Sequence, residues 1–140
     1  MGIYVNPGNE EFKRAVNSKI YVDKTMLLAF TNQNLKSEHQ NICVSRPRRF
    51  GKSMAANMLV AYYGKGDDSY ELFKPFKIAK DPDFKKHLNQ YNVIHLNMQQ
   101  FLGRTESVEE MMELISRKVV RELKREFPQV TYYEEDLVSV

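Results

Sequence analysis

Gly51-Lys52-Ser53 closes a basic loop, and the segments flanking it constrain the fold more than any other feature of the chain. Before the loop comes a short apolar run, Ile42-Cys43-Val44, leading into Ser45-Arg46-Pro47. After it, Met54, Met58, Leu59 and Tyr62 recur at helical spacing as far as Tyr63. A buried strand feeding a loop that opens a helix is the setting of a phosphate loop. Such a loop needs backbone N–H groups converging on an anion and a helix start to supply positive dipole. It also needs a lysine for the outer phosphates and a hydroxyl for magnesium. Gly51, Lys52 and Ser53 stand where these roles fall in the spacing G-x-x-x-x-G-K-[ST]. Arg46 takes the place of the first glycine, so its side chain must avoid the phosphates. Gly-Lys-Ser alone is a weak signal, and the plain alternative is a basic surface turn at a helix start.

The remaining segments read as short elements. Asn6-Pro7-Gly8-Asn9 is turn chemistry, with Asn9 able to cap a helix through Val16. Ile20-Tyr21-Val22 is a weak strand candidate stopping at Asp23, which reads as the cap of a helix from Lys24 to about Asn32. Asp81-Pro82 is a helix opening, with Phe84 and Leu88 as its apolar face. Val93-Ile94-His95-Leu96 is a second buried strand. Ser107-Val108-Glu109-Glu110 is a capping box, predicting a long helix over about 107–126. Its stripe is Val108, Met111, Met112, Ile115, Val119 and Leu123, and Phe127-Pro128 ends it. Strands alternating with helices predict an α/β fold with a parallel sheet flanked by helices. Two firm strands and one weak one are few for a doubly wound domain, so the sheet is expected to be incomplete.

Composition narrows the function classes. The chain has 140 residues, 42% of them hydrophobic, enough for one ordinary domain with a real core. Lys and Arg number 21 against 18 acids, a formal charge of +3, so any basic function must be local. Cys43 is the one cysteine, which excludes a disulfide scaffold. Within its strand it reads as a buried structural thiol. His39, His87 and His95 are scattered without metal-site spacing, and His95 reads as a partly buried, satisfied histidine. The apolar stretches are far short of a membrane span, and no leader pattern opens the chain, so the cytoplasm is the expected location.

Two segments together carry a resemblance. Tyr21-Val22-Asp23-Lys24-Thr25 and Ser45-Arg46-Pro47-Arg48-Arg49-Phe50-Gly51-Lys52-Ser53 resemble the AAA-ATPase-like proteins of anaerobic bacteria and archaea. That family carries Arg-Pro-Arg-Arg-x-Gly-Lys-[Ser/Thr] as its own signature, so Arg46 departs from the general phosphate loop and not from the family. The likeness runs from about Val5 to Phe101. It implies a P-loop NTPase fold, with ATP and magnesium as ligands, and longer members often carry a PD-(D/E)XK nuclease-like domain. By this resemblance Lys52 pairs with the β- and γ-phosphates and Ser53 ligates magnesium. The N–H groups of Arg49 to Ser53, Phe50 among them, wrap the β-phosphate, and Gly51 permits the close approach. Arg48 and Arg49 add charge at the nucleotide, hold an acidic neighbour, or face a partner.

Hydrolysis needs a further carboxylate at the end of a downstream apolar strand. Val93 to Leu96 ends in Asn97, Glu134-Glu135-Asp136 reads as a solvated acidic end, and Asp23 lies upstream of the loop. The chain therefore reads as the N-terminal part of a larger ATPase domain, binding nucleotide weakly or not at all and not turning it over alone. An incomplete sheet with an open edge predicts self-association. A second reading uses the patch Arg46, Arg48, Arg49 and Lys52 to bind nucleic acid or a protein partner, disfavoured for nucleic acid by the lack of interleaved aromatics beyond Phe50.

Overall fold

Helices carry this chain. The computed structural model describes residues 2–48 and 51–132. It is 49% helical with 3% strand, and no sheet forms among the described residues. The expected parallel-sheet α/β fold is therefore corrected. Pairing among the described residues is limited to two isolated bridges, Val5 with Ile94 antiparallel and Gly64 with Tyr91 parallel. The reason lies in the runs themselves. A strand of three or four residues gains little until neighbours satisfy its backbone on both sides. Ile20 and Val22, in the weak strand candidate, are 85% and 63% exposed, and Ile42 and Val44, expected in a buried strand, are 41% and 55% exposed. Cys43 is likewise exposed, which corrects its reading as a buried thiol. Val93 to Leu96 supplies one bridge residue, Ile94, which is itself half exposed.

The chain divides into two compact units, Gly8–Val93 and Met1–Pro7 with Ile94–Val140. The first unit holds α1 (Glu10–Val16), α2 (Met26–Asn34), α3 (Lys52–Tyr63), α4 (Tyr70–Phe73), a 3₁₀ turn over Lys77–Lys80, and α5 (Phe84–His87). In α1, Glu10 and Glu11 lie in the first turn and Lys13 and Arg14 in the last, each matched to the helix dipole. Asn9 precedes α1 but does not cap it through its side chain. Its amide donates instead to Ser69 Oγ (2.9 Å), tying the start of α1 to the turn before α4. Asp81 accepts the Asp83 N–H at 2.9 Å, shaping a turn that delays α5 to Phe84.

Aromatic rings fill this unit's core. Phe12 stacks on Phe73 at 5.0 Å, and Tyr62 meets Phe73 edge-on at 5.5 Å. Leu28, Met58, Ile78 and Phe84 close around them, all buried. Met54, expected on the same side of α3, is 40% exposed in its first turn. The buried polar groups are satisfied. The Tyr62 hydroxyl donates to the Phe84 carbonyl at 2.7 Å and accepts from the Asn32 amide at 3.1 Å. The Tyr63 hydroxyl donates to Asn32 Oδ1 at 2.6 Å. Burial pushes the Tyr63 hydroxyl up to about 12, which keeps it a donor at neutral pH.

The second unit is organised by α6 (Gln99–Leu102) and α7 (Val108–Glu126). Ser107 caps α7 by accepting the Glu110 N–H at 3.1 Å. The Glu110 carboxylate returns to the Glu106 N–H at 3.0 Å, one residue earlier than a strict capping box requires. Met111, Ile115 and Val119 are buried against Phe101 and Val5. Val108 and Met112 are 67% and 48% exposed, so the stripe is narrower than its periodicity suggests. Met112 is turned about 60° from Ile115 around the helix axis, and Val108 lies in the first turn, short of the core. Glu122 is 7% exposed and accepts the N–H groups of Ile3 at 2.9 Å, Tyr4 at 2.8 Å and Val5 at 2.9 Å. Close packing continues at Gly2, where a Cβ would lie 2.6 Å from Glu122 Oε2.

Candidate phosphate site

Gly51 stands at φ +82°, the left-handed region that favours glycine, and α3 begins directly after it. The first helical bond runs from the Ala55 N–H to the Gly51 carbonyl at 2.9 Å. The N–H groups of Lys52, Ser53 and Met54 therefore precede any intrahelical partner. Gly51 has no side chain to cap this end, and no acid lies in its first turn. Lys52 and Ser53 are both exposed there. A lysine at the positive end of a dipole is unfavourable by itself, and an anion would relieve it. Free N–H donors and the positive end of the dipole thus meet at one point of the surface.

The Lys52 side chain folds back across the loop, its Nζ donating to the Arg46 carbonyl at 2.6 Å. Arg46 and Arg48 are exposed, as are all residues from Asn41 to Arg48. Arg49 and Phe50, expected to line the same loop, lie outside the described residues, as does the acidic end at Glu134 to Asp136. No group of three or more His, Cys, Asp or Glu side chains suited to a metal occurs among the described residues. Magnesium would find one ligand here, the Ser53 hydroxyl, and would take the rest from phosphate and water. The histidines do not gather. His87 Nδ1 lies 2.7 Å from the Tyr91 hydroxyl, and His95 belongs to the other unit.

The Tyr21–Thr25 segment lies beside this helix start. Tyr21, Val22, Lys24, Gly51, Met54, Ala55, Met58 and Phe12 line one narrow cleft. Asp23 was expected to cap a helix from Lys24. It instead makes a turn ahead of α2, accepting the Thr25 N–H at 2.9 Å and the Thr25 hydroxyl at 2.6 Å through Oδ1. Its Oδ2 accepts the Lys77 N–H at 3.0 Å, and Thr25 Oγ1 accepts the Ile78 N–H at 3.2 Å. Together they staple the start of α2 to the 3₁₀ turn. Burial works to raise the Asp23 carboxyl, yet the donors from Thr25 and Lys77 outweigh it and hold the group below its usual value. Asp23→Ala is expected to lower stability by about 1–2 kcal/mol, read from urea denaturation. Lys24, between the two staple residues, escaped the sequence reading because its proximity to Gly51 is long-range.

A left-handed glycine thus opens a helix whose first residue is a lysine, next to a basic exposed loop. The chain matches the AAA-ATPase-like family, described as a predicted AAA-ATPase, over residues 8–137, and it belongs to that family. No match was found among curated proteins or solved structures. No helix among the described residues is long and apolar enough to cross a membrane.

Proposed function

We propose that residues 46–53 bind the phosphates of a nucleotide, ATP with magnesium, and that the chain alone does not hydrolyse it. The observation that carries this reading is the acid-free, uncapped start of α3 behind a left-handed Gly51, with Lys52 at its first position. Membership of a family described as a predicted AAA-ATPase supports the choice of ATP. Lys52 would leave the Arg46 carbonyl for the outer phosphates, while the N–H groups from Gly51 to Ser53 would hold the inner ones. Ser53 would offer its hydroxyl to magnesium, which when bound neutralises phosphate charge. Arg46 and Arg48 flank the loop and would add positive potential around it. The absence of turnover rests on the sequence, where no downstream apolar run ends in a carboxylate.

Thermal denaturation with and without Mg-ATP tests the reading. Saturating nucleotide is expected to raise Tm by several degrees, about 5 °C. Lys52→Ala is expected to weaken binding by about 10- to 100-fold. An oligonucleotide that binds with a steep salt dependence, in place of Mg-ATP, would reassign the basic patch to nucleic acid. Steady ATP turnover by the chain, lost in Lys52→Ala, would overturn the non-hydrolytic part.

A further inference from the structure

We infer that Lys24 is a second ammonium of the phosphate site, supplied from the Tyr21–Thr25 segment to the polyphosphate end of the bound nucleotide. The inference rests on the reading of 46–53 as a nucleotide site and adds to it a residue outside the loop. A Cβ built on Gly51 would lie 3.5 Å from Lys24 Nζ, so the ammonium stands directly against the left-handed turn. Among the described residues no carboxylate pairs with it. The neighbouring acid, Asp23, spends both oxygens on Thr25 and Lys77.

Position and charge point the same way. Asp23 and Thr25 are locked on either side of Lys24, so its backbone is fixed while its side chain stays exposed. A staple of this kind holds a flexible side chain over one spot at reduced entropic cost. That spot lies at the positive end of the α3 dipole, with no acid in the first helical turn and Lys52 as the first helical residue. An ammonium beside a positive helix end is repelled by it unless an anion lies between them. A polyphosphate is the ligand class that this arrangement accommodates, because its charge spreads over several oxygens that separate cations can share.

The test uses the full chain, with Lys24→Met to remove charge while keeping the apolar stem, and Lys24→Arg to keep charge. Binding of ATP, ADP and AMP, each with magnesium, is measured by titration calorimetry, with Lys52→Ala as the reference variant. Lys24→Met is expected to weaken ATP binding about tenfold, with a smaller loss for ADP and little for AMP. Lys24→Arg is expected to restore most of the ATP affinity. Nucleotide-free Tm should be unchanged in both variants, because no carboxylate among the described residues pairs with the ammonium. An equal loss for ATP and AMP, or no recovery with arginine, would overturn the role in favour of simple packing. Wild-type affinity in Lys24→Met with binding lost in Lys52→Ala would overturn Lys24 and leave the loop reading intact. No ATP binding by the wild-type chain would overturn both.

Discussion

Tyr62→Ala is expected to destabilise the Gly8–Val93 unit by about 4 kcal/mol. The residue is 0% exposed, and its ring packs against Tyr63, Phe73 and Phe84. Truncation leaves a cavity among side chains that are themselves buried, so little can collapse into it. It also strands the Phe84 carbonyl and the Asn32 amide, both bonded to the Tyr62 hydroxyl. Tyr62→Phe separates these contributions. It keeps the ring and removes only the hydroxyl, for an expected loss of about 1–2 kcal/mol. The chain has no tryptophan, so far-UV circular dichroism in urea is the suitable readout. Near-equal losses for the two variants would place the energy in the hydroxyl network and not in packing.

Glu122→Ala is expected to cost about 3 kcal/mol in the other unit. One carboxylate there serves the N–H groups of Ile3, Tyr4 and Val5, and its removal leaves all of them without an acceptor. Glu122→Gln should recover little, because one arm of the amide is a donor and would face N–H groups. Hydrogen exchange at residues 3–5 should accelerate in both variants. The same clamp sets a pH dependence. Burial raises the Glu122 carboxyl, but the three backbone donors and then Arg125 outweigh it and hold the group below its ordinary 4.5. Its contribution is therefore complete above about pH 4.5 and is lost as pH falls through the lower, folded value. Acid unfolding should shift to higher pH when the clamp is weakened by a neighbouring change such as Arg125→Ala.

What the sequence disclosed divides by range. The helix at Val108–Glu126 was legible because its cap, its apolar spacing and its proline stop are all local signals. The start of α3 was legible for the same reason, since Gly51 and Lys52 mark it within two positions. The strands were not. Runs such as Ile20-Tyr21-Val22 and Ile42-Cys43-Val44 are too short to carry a period, and whether they pair depends on distant backbone. Here those residues remain outside any ladder, and Ile42 and Val44 stay exposed. Asp23 reads as a helix cap in the sequence, yet it turns the chain ahead of α2, and its second oxygen goes to Lys77, far along the chain. Lys24 has no local signal of a role, because only folding brings it to Gly51.

The contact between Lys52 and the Arg46 carbonyl carries a kinetic consequence. It makes a closed ring of the loop, with an internal carbonyl occupying the lysine that an incoming phosphate would need. Association then includes an exchange of one acceptor for another, and the apparent on-rate will report how often the ring opens. On the proposed nucleotide reading, a dense anion such as a polyphosphate would displace the carbonyl more readily than a single weak acceptor, and the loop would select by charge before any contact to a base.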